Sequence, residues 1–215
     1  MKTILATGFE PFGGEAVNPA LEAVKQLEGR VIAGHRIITR ALPVVQKKSI
    51  AAIIDSIREL RPELVLAIGQ AGGRPEISVE RIAINVDDFR IPDNDGNQPV
   101  DEPVEAAAPA AYWSSLPVKA MVERMRRGGV PASVSNSAGT FVCNHLFYGL
   151  MHYLQQCGRP IRGGFIHIPY LPEQAARNPG QPSMGLETIV NGLTLALAAA
   201  LETGQDIKLG AGKLH

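Results

Sequence analysis

Two cysteines, five histidines and a glutamate set in an apolar strand hold most of the chemistry this sequence offers. Cys143 lies in SNSAGTFVCNHLFYGL, where a polar, turn-like stretch over 135–140 gives way to a helical pattern. The thiol therefore falls in the first turn of a helix. There the helix dipole and free backbone N–H groups favour a thiolate. The same N–H groups can stabilise an oxyanion formed by attack on a carbonyl. Gly139 permits an unusual turn angle just before the helix. A lone buried cysteine is more often a small core hydrophobe, so placement alone leaves both roles open. Cys157, at the far end of the same helix, meets a dipole that opposes ionisation and reads as structural or surface.

A thiol nucleophile needs a base. His215 is terminal and His35 precedes a surface-like strand. His145 and His152 share the helix of Cys143, but fall roughly 200° and 180° around it and are poor partners. They are seven residues apart, a spacing that admits a metal reading, yet no Asp, Glu or Cys stands beside them at ligand spacing. His167, in GGFIHIPYLP, sits in an apolar strand that leads into a loop. From there it reaches across a crevice to a helix N-terminus. The plainer alternative is a satisfied core histidine.

In ISVERIAINV, strict alternation sets Glu80 on one face with Ile82, Ile84 and Val86. An ionised carboxylate on such a face is costly unless paired. Two partners are open: an arginine, either Arg81 of a neighbouring subunit or another, or a ring N–H of His167, which it would orient as the acid of a triad does.

The elements that must position these groups follow from pattern. Short apolar runs over 2–7, 36–42, 64–68, 132–134 and 164–168 read as strands, as does the β-rich 77–86. Helical patterns cover about 18–27, 47–60, 118–127, 142–156 and 183–202, the first begun by Asn18-Pro19. Residues 87–103 are a loop long enough to suggest function, and 170–182 is another. Alternating strands and helices indicate an α/β fold, a three-layer α/β/α sandwich on a mostly parallel, partly mixed sheet. One domain over 1–215 is expected, its tail frayed after about residue 203. Ligands in such sheets gather at the carboxyl ends of the strands, where TGFEPFGG, GQAGGR and SAGTFVCN are expected to converge.

The 215 residues carry zero formal net charge, so the basic field of a non-specific nucleic-acid binder is absent. The first apolar stretch is too short for a signal peptide, and 193–201 is far below membrane-spanning length. A cytoplasmic, soluble protein is expected. TGFEPFGG lacks the lysine of a phosphate loop and the GxGxxG order, so a nucleotide site fails.

TGFEPFGGEAVNP, GQAGGR, ERIAIN, NVDDFRIPDNDGNQPVDEP, SAGTFVCNHLFYGL and GGFIHIPYLPEQ together resemble the pyroglutamyl peptidase I family, in order and to about Ser183. The resemblance implies a catalytic set of Glu80, Cys143 and His167, with no metal or organic cofactor. It implies peptides with an N-terminal pyroglutamate as substrates, and a homotetramer. It further implies a lactam pocket from Phe9, Phe12, Phe141 and Val142, with Asn18 and Gln70 as lactam-binding positions. Core packing is the alternative for Phe9 and Phe12. Arg90 matches an arginine near the catalytic centre, its alternative being a salt bridge to Asp87 or Asp93. Phe89 departs from the family, where many relatives carry Ala, and is expected to narrow or reshape the site beside Arg90. A glutaminase-like hydrolase would need a polar pocket, which the Phe-rich first loop argues against.

Overall fold

Apolar and β-branched runs supply the sheet. A computed structural model describes residues 1–212. In chain order the elements are β1 (Lys2–Phe9), α1 (Pro19–Leu27), β2 (Val31–Ile32), β3 (His35–Leu42), α2 (Lys48–Leu60), β4 (Leu64–Gln70), β5 (Ile77–Glu80) and β6 (Ile82–Ile84). They continue as β7 (Ala111–Trp113), α3 (Val118–Arg127), β8 (Ala132–Ser135), α4 (Val142–Gln156), β9 (Arg162–Ile168), α5 (Pro172–Arg177) and α6 (Leu186–Glu202).

A seven-stranded sheet has the order β2-β3-β1-β4-β9-β5-β8. β3, β1, β4 and β9 run parallel. β5 lies antiparallel to β9, and β8 follows β5. β4 and β1 are buried on both faces, which is why they read as unbroken apolar runs. One face packs Ile4, Leu66 and Ile166 against α1, α3 and α6. The other packs Leu5, Val65 and Phe165 against α2 and α4. Fully burying a side chain of this kind contributes about 1.5–3 kcal/mol, so these two layers carry most of the apolar burial.

Four expectations need correction. Residues 77–86 are not one strand. β5 ends at Glu80, Arg81 N–H still donates to Ser135 O at 2.9 Å, and β6 then joins β7 in a separate two-stranded sheet. The alternation that grouped Glu80 with Ile82, Ile84 and Val86 therefore breaks at Arg81. β1 extends through Gly8 to Phe9. A Cβ on Gly8 would come within 2.7 Å of the Ala20 carbonyl carbon, so glycine is what lets α1 pack onto the strand. The 170–182 loop contains α5, begun by Pro172 with the Gln174 side chain returned to Leu171 N–H. Finally, β8 runs against β1, β4 and β9, so the segment after it does not leave from a strand end shared with them. It turns back to α4 through Ser137 and Gly139 (φ 77°), with Gly139 N–H donating to Ser137 Oγ at 3.1 Å.

Asn18 caps α1 as expected, its Oδ1 accepting from Ala20 N–H at 3.0 Å. Beyond α6, the Asp206 carboxylate accepts from Lys119 and Ala120 N–H, both at 3.0 Å, at the start of α3. Residues 213–215, part of the tail expected to fray, lie outside the described residues. Among the described residues no helix is long and apolar enough to cross a membrane.

Candidate active site

Cys143 is the second residue of α4, after Phe141 as N-cap in extended conformation without a side-chain cap bond. The first turn of a helix leaves its N–H groups without intrahelical partners, so α4 presents donors beside the sulfur. Asn144 fixes that turn. Buried completely, it accepts from Ile84 N–H at 3.0 Å and donates to Ile84 O at 2.9 Å and Val86 O at 3.0 Å. This amide clasp between α4 and β6 had no local signature in the sequence.

His167 lies on β9 beside Gly69 of β4, on the face of Phe165 and Ala67 that meets α4. Across the antiparallel pair, Ser78 stands opposite His167 and Glu80 opposite Phe165. Glu80 is thus the diagonal same-face neighbour of His167, within reach of a long side chain. His167 Nδ1–H donates to Glu80 Oε1 at 2.8 Å, both residues being buried. That leaves Nε2 for the cavity, which His167 and Cys143 line together.

Glu80 has the other partner as well. Arg74, from the loop after β4, donates from Nη1 to the same Oε1 at 2.6 Å and from Nη2 to Ser137 O at 3.1 Å. Glu80 Oε2 is buried without a hydrogen bond. Arg81 points elsewhere, to Ala211 O. Burial pushes the Glu80 pKa up, but the His167 hydrogen bond and charge and the Arg74 guanidinium outweigh it and hold the carboxyl below the usual glutamate range.

The Cys143 thiol is pushed up to about 12, first by burial and second by the Glu80 carboxylate, with Arg74 opposing. Desolvation of the charged form thus opposes the preference for a thiolate that a helix N-terminus gives.

The sulfur stands where two spaces meet. One is an open cavity of about 400 Å³ lined by Phe12, Gln70, Phe141, Cys143 and His167 among others, with Arg74, Asp88 and Arg90 supplying charge. The other is a narrow apolar slot of about 10 Å³ lined by Phe9, Phe12, Asn18, Val44, Gln70, Phe141, Val142 and Cys143. Phe12 and Phe141 face each other across 6.1 Å between ring centroids. Phe9 is both core and slot, being 2% exposed. Asn18 is held at both ends, its Nδ2 donating to Glu10 O at 3.0 Å while Oδ1 caps α1. Gln70 Oε1 accepts from Gln174 Nε2 at 3.1 Å.

The 87–103 loop forms one side of the cavity and is strapped in place. Asp88 N–H donates to Thr140 O at 3.0 Å and Thr140 Oγ1 returns to Asp88 O at 2.8 Å. The Asp93 carboxylate accepts from Gln46 N–H at 2.7 Å and from Asp95 and Asn97 N–H at 2.9 Å. Burial pushes its pKa up, but the Asn97 Nδ2 hydrogen bonds and then those backbone donors outweigh it and hold the carboxyl below the usual range. Asp93 is thereby occupied, and no ion pair joins Arg90 to Asp87 or Asp93 among the described residues. Phe89 lines neither space. It is 2% exposed and packs edge-on against Phe141 at 4.7 Å, so it buttresses the slot wall instead of narrowing the cavity.

His145 is a second buried imidazole. It accepts Lys47 N–H at Nε2 (2.8 Å), so Nδ1 carries the proton donated to Asp87 Oδ2 (2.7 Å). His152 instead meets the Tyr112 hydroxyl at 2.8 Å. The two histidines share no ligand set, and no metal-binding cluster occurs among the described residues.

Comparison with known proteins places the chain in a family. A family model described as pyroglutamyl peptidase matches residues 2–203, further than the motifs alone reached. The chain is 56% identical over 215 residues to a pyrrolidone-carboxylate peptidase of Bacillus mycoides, covering all of both chains. It is 57% identical over the same length to one of Brevibacillus brevis. Among solved structures, pyroglutamyl peptidase I from Bacillus amyloliquefaciens superposes with a TM-score of 0.95 at 49% identity, covering 97% of this chain and 99% of that one. A pyrrolidone carboxyl peptidase from Thermococcus litoralis gives 0.94 at 40% identity over 98% and 100%. The chain belongs to the pyroglutamyl peptidase family of enzymes.

Proposed function

We propose that the protein hydrolyses the bond after an N-terminal pyroglutamyl residue, with Cys143 as nucleophile, His167 as acid and base, and Glu80 orienting His167. The observation that carries this is the sulfur at the junction of an apolar slot and a charged cavity, beside an imidazole anchored to a buried carboxylate.

His167 Nε2 takes the Cys143 proton as sulfur attacks the pyroglutamyl carbonyl carbon. The α4 N–H groups receive the oxyanion, with Arg90 beside them. As the tetrahedral centre collapses, the C–N bond breaks and His167–H protonates the leaving amine. Water, deprotonated by His167, then cleaves the thioester to give pyroglutamate and the thiol. Glu80 holds the Nδ1–H tautomer and offsets the imidazolium charge.

The uncharged lactam suits the slot. A ring held between two others needs about 3.5 Å on each side, roughly 7 Å in all, so Phe12 must swing slightly from its 6.1 Å separation to admit it. Gln70, which lines both spaces and whose Oε1 is taken by Gln174, supplies the amide contact. Peptide beyond the lactam lies in the charged cavity. A homotetramer and a cytoplasmic location complete the reading; sedimentation and fractionation test those two.

The deciding experiment offers wild type and Cys143→Ser a pyroglutamyl reporter and a glutamine amide in parallel, with and without a chelator. Pyroglutamyl turnover that vanishes in the variant and ignores the chelator is expected. Preference for the glutamine amide, or a fully active variant, rejects the reading.

A further inference from the structure

Arg74 and His167 donate to one oxygen of Glu80, Oε1, while Oε2 is buried and unpaired. The carboxylate is therefore shared between an imidazole and a guanidinium at a single atom. Arg74 is only part-buried, its side chain 29% exposed, and it lines the cavity that holds Cys143 and His167. Its second arm grips Ser137 O, in the turn that delivers α4 and Cys143.

The charge count gives this geometry a consequence. When the Cys143 proton moves to His167, the site holds a thiolate, an imidazolium and the Glu80 carboxylate, a net negative set in a desolvated place. Arg74 brings it to neutrality. Asp88 and Arg90 face the same cavity as an opposite pair and Tyr170 is neutral, so neither alters the balance. The net charge is the same before and after this transfer; what Arg74 changes is the field at the sulfur, where the Glu80 carboxylate opposes a thiolate and Arg74 favours one.

We propose that Arg74 is a positioning residue that acts through Glu80, balancing its charge so that the thiolate–imidazolium pair can form, and that it sets the height of the Cys143 turn through Ser137. This rests on the Cys143, His167 and Glu80 reading above.

The test follows thiol chemistry without substrate. Full-length protein carrying Cys157→Ser, so that Cys143 alone reports, is alkylated with iodoacetamide from about pH 7 to about pH 10, below the folded thiol value of about 12, where the rate at each pH reports the small thiolate fraction. The variants are Arg74→Met, Arg74→Lys and the double Arg74→Met, Glu80→Gln. Arg74→Met moves the alkylation profile up by about one pH unit or more, roughly a tenfold loss of thiolate at neutrality. Its kcat for a pyroglutamyl reporter falls by a similar factor while KM holds. Arg74→Lys keeps the charge and the profile but loses kcat through the lost grip on Ser137. The double variant restores the profile, because two opposite charges leave together. A purely structural Arg74 would make the double variant no better than the single.

An Arg74→Met profile superimposed on the parent overturns the proposal. Should that variant not fold, an Arg74→Lys profile displaced upward, or a double variant displaced upward, overturns it equally. If alkylation shifts as stated but no variant or wild type cleaves the reporter, the substrate reading fails and the role of Arg74 stands.

Discussion

Gly69 leaves the space that Cys143 Sγ occupies: a Cβ at residue 69 would lie 2.9 Å from the sulfur and 2.8 Å from Phe165 Cζ. Gly69 is also the β4 partner of His167 in the sheet register. The missing side chain thus makes room for the thiol and the Phe165 ring beside the strand position that pairs with His167. Gly69→Ala is expected to keep the fold at a cost of about 1–3 kcal/mol from overpacking. It should lose about a hundredfold in turnover, the scale of a 1 Å misplacement. Thermal melts and reporter kinetics check both, and wild-type turnover in the variant would count against the arrangement.

The Cys143 thiol makes an alkaline prediction. Its folded pKa, pushed up to about 12, exceeds the unfolded thiol value of about 8.5. Its contribution to stability is whole below the unfolded value and is lost as pH rises toward the folded one. Cys143→Ser should flatten the decline in stability over that alkaline window, as read by urea melts at stepped pH. Cys157→Ser should leave turnover nearly unchanged.

Glu80 makes the acid counterpart. Its folded pKa is held below the glutamate range by His167 and Arg74. Its contribution is present above the ordinary value of about 4.3 and fades as pH falls below that toward the folded pKa. Glu80→Gln is expected to weaken the protein at neutral pH and to show a shallower acid decline. It should retain a fraction of turnover, since an amide still accepts from His167 Nδ1–H. A variant with the wild-type acid slope would remove Glu80 from this account.

Asp93 straps the 87–103 loop with carboxylate acceptors aimed at three backbone N–H groups. Asp93→Asn sets an NH2 group against donors, a cost of about 1–3 kcal/mol for an unmade buried bond. The loop that carries Arg90 then loosens. A higher KM with a smaller change in kcat is expected, measured on a pyroglutamyl peptide and not a short amide.

Much of the scaffold was legible because its signals are local. Asn18-Pro19 announces a helix start through its own side chain and ring. Unbroken apolar runs over 64–68 and 164–168 announce strands buried on both faces. The spacing of Cys143 after a glycine turn announces a thiol at a helix entrance. α5 was missed because six residues carry too little periodicity to stand out in a proline-rich loop. The break at Arg81 was missed because a strand that changes sheets keeps its β-rich composition on both sides.

Taken alone, the sequence determined which groups are available: a thiol, an imidazole on an apolar strand, and an acid that had to be paired. Only the tertiary structure decided that Glu80 serves both Arg74 and His167 through one oxygen, that Asn144 clasps β6, and that His145 is tied to Asp87 and Lys47. Those choices depend on the direction in which β5 pairs with β9 and on how α4 packs over the sheet. Both are set by contacts between residues far apart in the chain, where periodicity and turn chemistry carry no information.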